Sequence, residues 1–144
     1  MSGNLRQRAR IVRVRRVQHD LAAAAASRAA AELKALESSE ERLRLIRNGL
    51  GAGRGDASGA ALASIGELAM RLDRAREGLG RTITGAKVQV AAREGVRIAA
   101  RRDQESAERL EEKAASAARR AAERKRPAHR ARHPRLGTDG EGQS

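Results

Sequence analysis

Two long proline-free stretches, residues 5–48 and 60–126, flank a glycine-rich joint, and the chain holds no aromatic residue and no cysteine. Without Phe, Tyr or Trp the large side chains are too few for a thick core, although 144 residues would suffice for an ordinary domain. Without cysteine there is no disulfide framework and no thiolate metal site. The sequence therefore predicts an all-α protein: two long helices folded into an antiparallel coiled-coil hairpin, with a disordered tail over residues 127–144. Nowhere do about 18 apolar residues follow one another, and the arginine-rich start lacks a convincing apolar core, so no signal peptide or membrane span is expected and a cytoplasmic location follows.

Asn4 is a suitable N-cap for the first helix, about 5–48, and Asn48-Gly49 supplies residue types that tolerate a left-handed helix end. Val14, Val17, Leu21, Leu33, Leu36, Leu43 and Ile46 recur mostly at threes, fours and sevens, as one apolar stripe does. Val14 to Leu36 and Leu21 to Leu43 are each 22 residues apart, which favours an eleven-residue repeat with little left-handed supercoil. The joint, 49–59, offers Asp56 and Ser58 as caps for the second helix, about 60–126. There Leu62, Ile65, Leu68, Leu72, Leu79, Ile83, Ala86 and Val90 form the matching stripe.

Folding about residue 54 with equal rise in both helices sets residue i opposite roughly 110 minus i, pairing Leu43 with Leu68, Ile46 with Ile65, Leu21 with Val90 and Val14 with Val96. The small residues of 22–31 then face Gly78, Gly80 and Gly85, a waist where backbones could approach closely. That would account for Gly66, Gly78, Gly80, Gly85 and Gly95, each of which weakens a helix interior by about 0.8–1 kcal/mol relative to Ala. The alternative is compositional drift with a locally frayed helix.

The formal net charge of +13 invites a nucleic-acid reading, but position matters. Arg6, Arg8, Arg10, Arg13, Arg15 and Arg16 form an acid-free block whose first half is expected to lie near Asp103, Glu105, Glu108, Glu111 and Glu112, which fixes direction and register more than stability. Left unpaired are the row Arg93, Arg97 and Arg101, beside Arg102, and the cluster Arg119, Arg120, Arg124, Lys125, Arg126, Arg130, Arg132 and Arg135. The second helix should outrun the first by about twenty residues. These features make Arg93, Arg97, Arg101, Arg119, Arg120, Arg124, Lys125 and Arg126 the candidate partner-binding residues.

No catalytic, cofactor-binding or metal-binding set is expected. A two-helix rod should lack a concavity of a few hundred cubic ångströms. Residues 51–55 have a phosphate loop's glycines without its Gly-Lys-Ser/Thr ending. His19 is read as a surface or seam residue, and His129 and His133 have no carboxylate near enough to complete a metal site. Electrostatic, sequence-independent nucleic-acid binding remains possible, though no aromatic is present on which a base could stack.

The passage Leu110-Glu-Glu-Lys-Ala114, running into Ala118-Arg-Arg-Ala-Ala-Glu-Arg-Lys125, resembles the FliJ family of bacterial flagellar export proteins. That family has a leucine-acid-acid-x-alanine turn followed by an arginine-rich helix end. Residues 13–30 are similar to the family's N-terminal segment, and length and architecture match over about 5–126. The resemblance implies a cytoplasmic two-helix antiparallel coiled coil that binds the export ATPase and the export gate and looks like the central stalk of rotary ATP synthases. Family members often carry aromatics near the hairpin tip, and this chain has none. The expected function is that of a non-enzymatic stalk, escort or chaperone-like component of flagellar or type III protein export. The alternative is a nucleoid-associated or RNA-associated basic protein.

Overall fold

The computed structural model describes residues 2–52 and 58–130. Helix α1 spans Ser2–Ala52 and helix α2 spans Gly59–Arg130, and the two pack against each other as a hairpin. No helix among the described residues is long and apolar enough to cross a membrane.

Both helices overrun their expected limits. Asn4 lies inside α1, and the helix continues through Asn48 and Gly49 to Ala52 with no residue in the left-handed region among those described. Asn48-Gly49 is therefore no stop signal: helical hydrogen bonding outweighs the modest propensity loss of one glycine. At the other end of the joint Ser58 caps α2, its hydroxyl oxygen accepting from the Ala61 N–H at 3.3 Å and its carbonyl from the Leu62 N–H at 2.9 Å. Asp56, the other candidate cap, lies outside the described residues. Pro127, expected to end α2, sits in its last turn, and the helix goes on to Arg130. Proline's fixed φ is helical, and near a terminus one missing N–H is a small loss. The tail beyond Arg130 falls outside the described residues.

Among the described residues four ion pairs bridge the helices: Arg15 to Asp103 at 3.5 Å, Arg16 to Glu108 at 3.3 Å, Glu40 to Arg76 at 2.9 Å and Arg47 to Asp73 at 3.2 Å. The paired residue numbers total 118, 124, 116 and 120. Facing residues thus total about 119, which displaces α2 by roughly nine residues, or about 13 Å, from the symmetric fold. Leu43 does not face Leu68, nor Val14 Val96. The first turns of α2 stand beyond the end of α1, leaving Leu62 exposed. At the opposite end α2 outruns Ser2 by about thirteen residues rather than twenty.

Burial follows a strict heptad. On α1, positions 5, 12, 19, 26, 33, 40 and 47, together with 8, 15, 22, 29, 36, 43 and 50, are all buried or half-buried. On α2 the seven-residue series from 65 and from 69 behave alike as far as 121 and 118, with Arg93 the one exposed member. This period of 3.5 is that of a left-handed coiled coil and replaces the eleven-residue stripe. Leu33, Leu36 and Leu43 do belong to the seam, but Val14, Val17, Leu21 and Ile46 do not, nor do Leu62 and Leu68 on α2.

The seam changes character along its length. Toward the joint it combines Leu33, Leu36, Leu43 and Leu50 with Ile83, Leu79, Leu72 and Ile65. Toward the free ends it is built from Ala22, Ala26 and Ala29, from His19 and Arg15, and from Ala100, Gln104 and Ala107. Arginine serves in a narrow seam by laying its aliphatic stem along the neighbouring helix and leaving the guanidinium at the edge. Buried are only Val12, Ala26, Ala69 and Ala107 among the described residues, so the core is one side chain thick.

The register also removes the glycine waist. Residues 22–31 face α2 around 88–97, and a Cβ built on Gly78, Gly80 or Gly85 would meet nothing within 4 Å. No close backbone contact requires these glycines, and α2 runs unbroken through all of them.

Candidate partner-binding surfaces

Only part of the expected basic row is free. Arg97 is a seam residue and forms an ion pair with Glu94, one turn earlier. Arg101 pairs with Glu105 at 3.1 Å. The short local spacing explains both: carboxylates three or four residues away share the arginine's helix face. Arg93 stays exposed, with no ion pair among the described residues, so Arg93, Arg97 and Arg101 do not form one unpaired row.

The C-terminal cluster lies on the part of α2 that extends past α1, as the sequence suggests. Arg119 reaches back to Glu112 at 3.1 Å. Arg120, Arg124, Lys125 and Arg126 are exposed and have no ion pair among the described residues. The cationic surface is thus the stretch 120–126 of the overhang, while Arg132 and Arg135 fall outside the described residues.

The N-terminal arginines divide. Arg15 and Arg16, at the end of the block, are held by Asp103 and Glu108, whereas the symmetric register would set its first half beside that acidic stretch. Gln104 donates to Glu108 at 3.0 Å and Arg16 adds a second donor, so the Glu108 carboxyl is held below the usual glutamate value of 4.5. Arg6, Arg10 and Arg13 face solvent instead, with no ion pair among the described residues. Beside them Val14, Val17 and Leu21 form an exposed aliphatic patch that the sequence reading had placed inside the hairpin. The signal for this patch in the sequence is the seven-residue phase of Val12, His19, Ala26 and Leu33, which leaves Val14, Val17 and Leu21 on the other face.

His19 occupies the seam, its Nδ1 3.5 Å from an Asp20 carboxylate oxygen and its Nε2 buried with no hydrogen-bond partner among the described residues. The concavity beside it is lined by Arg16, Arg101, Gln104, Glu105 and Glu108 and measures about 280 Å³. A larger groove of about 710 Å³ runs between Glu37 and Glu40 on α1 and Asp73, Arg76, Glu77 and Lys87 on α2. The rod therefore has concavities of a size the sequence reading did not expect. Staggered seam side chains leave such furrows along a two-helix edge, and this one lies open to solvent. Among the described residues no three His, Asp or Glu side chains are grouped to hold a metal ion.

No protein-family model, curated protein or solved structure matches the chain.

Proposed function

We propose that this protein is a non-enzymatic stalk or escort component of a flagellar or type III protein export apparatus, acting in the cytoplasm and binding the export ATPase through its basic helix end. The observation that carries the reading is the overhang. A coiled-coil hairpin of two long helices presents Arg120, Arg124, Lys125 and Arg126 at one tip, beyond the end of α1. A cationic point on a stiff rod suits insertion into an acidic ring, where opposite charge steers association and the rod holds orientation. The FliJ-like passage over residues 110–125 supplies the choice of ring.

The exposed cations also suit nonspecific nucleic-acid binding, and one experiment separates the two. Docking requires both charge and a rigid hairpin; phosphate binding requires charge alone. Reversing Arg120, Arg124, Lys125 and Arg126 to Glu in the full chain, and separately introducing Ala29→Pro to break α1 at the seam, should each abolish association with the export ATPase. If the chain ignores the ATPase, binds generic duplex DNA at physiological salt and keeps that binding with Ala29→Pro, the nucleic-acid function replaces the export one.

A further inference from the structure

Three exposed large aliphatic residues of α1 lie together on the face turned away from α2. At 100° per residue, Val14, Val17 and Leu21 fall within about 60° of one another, opposite the seam positions Val12 and Arg15. They are 50%, 58% and 66% exposed, whereas Val12, two residues from Val14, is 3% exposed. Arg10 and Arg28 stand on the same face at the two ends of this patch, with Arg6 and Arg13 at its side. None of these four arginines forms an ion pair among the described residues. Their neighbours Arg15 and Arg16 are both engaged by α2.

Aliphatic anchors at i, i+3 and i+7 present a helix-sized strip, the spacing by which one helix recognises another. The cationic frame then selects what else the occupant carries. A second copy of this face would bring arginines against arginines, and like charges in juxtaposition oppose such a contact. A lipid surface calls for a broad apolar face of at least about 100°, usually with aromatic anchors, and this strip is narrower and has none. Nucleic-acid phosphates would satisfy the arginines but leave the aliphatic strip uncovered. The geometry points to a docking site for an amphipathic helix of another protein, its apolar stripe covering Val14, Val17 and Leu21 and its Asp or Glu side chains meeting Arg6, Arg10, Arg13 and Arg28. This site is separate from the basic overhang and does not depend on the export function.

A display library of helical 20-residue peptides, selected on the full-length chain, tests it. Enriched peptides should carry aliphatic residues at heptad spacing flanked by an excess of Asp and Glu. Their affinity should fall at least about 10-fold with Val17→Ser plus Leu21→Ser, and again with Arg10→Ser plus Arg13→Ser. Reversal of Arg124 and Arg126 to Glu should leave that affinity unchanged. Because the altered side chains are exposed, helical content by circular dichroism should match the unaltered chain. The site is disproved if enriched peptides lack the acidic excess or bind equally after both pairs of substitutions. It is equally disproved if the same residues instead drive self-association in sedimentation, or adsorption to vesicles of phosphatidylcholine with 30% phosphatidylserine.

Discussion

Arg76 holds Glu40 across the seam with two donors on one oxygen, Nε at 3.1 Å and Nη2 at 2.9 Å. Each side chain is about two-thirds buried, making this the most enclosed ion pair between the helices. Both residues occupy heptad seam positions, so a one-residue slip would carry either charge off the shared edge and leave the other without its partner. Such a pair specifies register more than it adds net stability.

Glu40→Gln and Arg76→Gln should each lower stability by about 1 kcal/mol, and the double variant carrying both should lose less than the sum of the two. Thermal melts of the four chains form the double-mutant cycle that checks this. A coupling indistinguishable from zero would mean the pair does not select the register.

Val12 and Val14 offer the sharpest test of the seam's phase. Val12→Asp puts a carboxylate into the buried seam and should destabilise the hairpin by several kcal/mol. Val14→Asp lies on the outer face and should stay within about 0.5 kcal/mol of the unaltered chain. Urea denaturation distinguishes them, and coincident midpoints would contradict the heptad.

Cysteines at Val12 and Ala107 should be joined by a short bismaleimide within one chain, since their numbers total 119 and both are buried. Cysteines at Leu43 and Leu68, which the symmetric fold would set face to face, should react much more slowly. Mass spectrometry of the crosslinked monomer reads the register directly.

Replacing Gly78, Gly85 or Gly95 by Ala should raise stability by about 0.8–1 kcal/mol each, because the positions are helical and open around the added Cβ. Any of the three that lowers the melting temperature would reveal a packing requirement at that site.

Acid should weaken the hairpin in a defined window. Hydrogen bonds from Arg44, Arg97 and Gln104 hold the carboxyls of Glu41, Glu94 and Glu108, respectively, below the usual 4.5. A lowered folded value means the stabilisation is fully present above about 4.5 and disappears as pH falls through the lowered values. The melting temperature should therefore hold steady from neutrality to about pH 5 and then decline. Glu108→Gln should make that decline shallower, as seen by circular dichroism at stepped pH.

Much of the architecture is present in local chemistry. Two long helices follow from the absence of proline over residues 5–48 and 60–126, the abundance of alanine and the capping serine at residue 58, all of which act within a turn or two. The position of the basic cluster beyond the paired region follows from the unequal helix lengths. Which face of α1 meets α2 is a different matter. A helix carrying Val12, Ala26 and Leu33 at one phase and Val14, Val17 and Leu21 at another has two faces capable of burial, and periodicity alone ranks them by side-chain size. The structure selects the phase with smaller residues, where Ala against Ala or Val allows a thin seam and where Arg15, Arg16, Glu40 and Arg47 find opposite charges on α2. Those contacts join residues dozens of positions apart, so only the tertiary fold decides the register, the burial of His19 and the exposure of the Val14–Leu21 face.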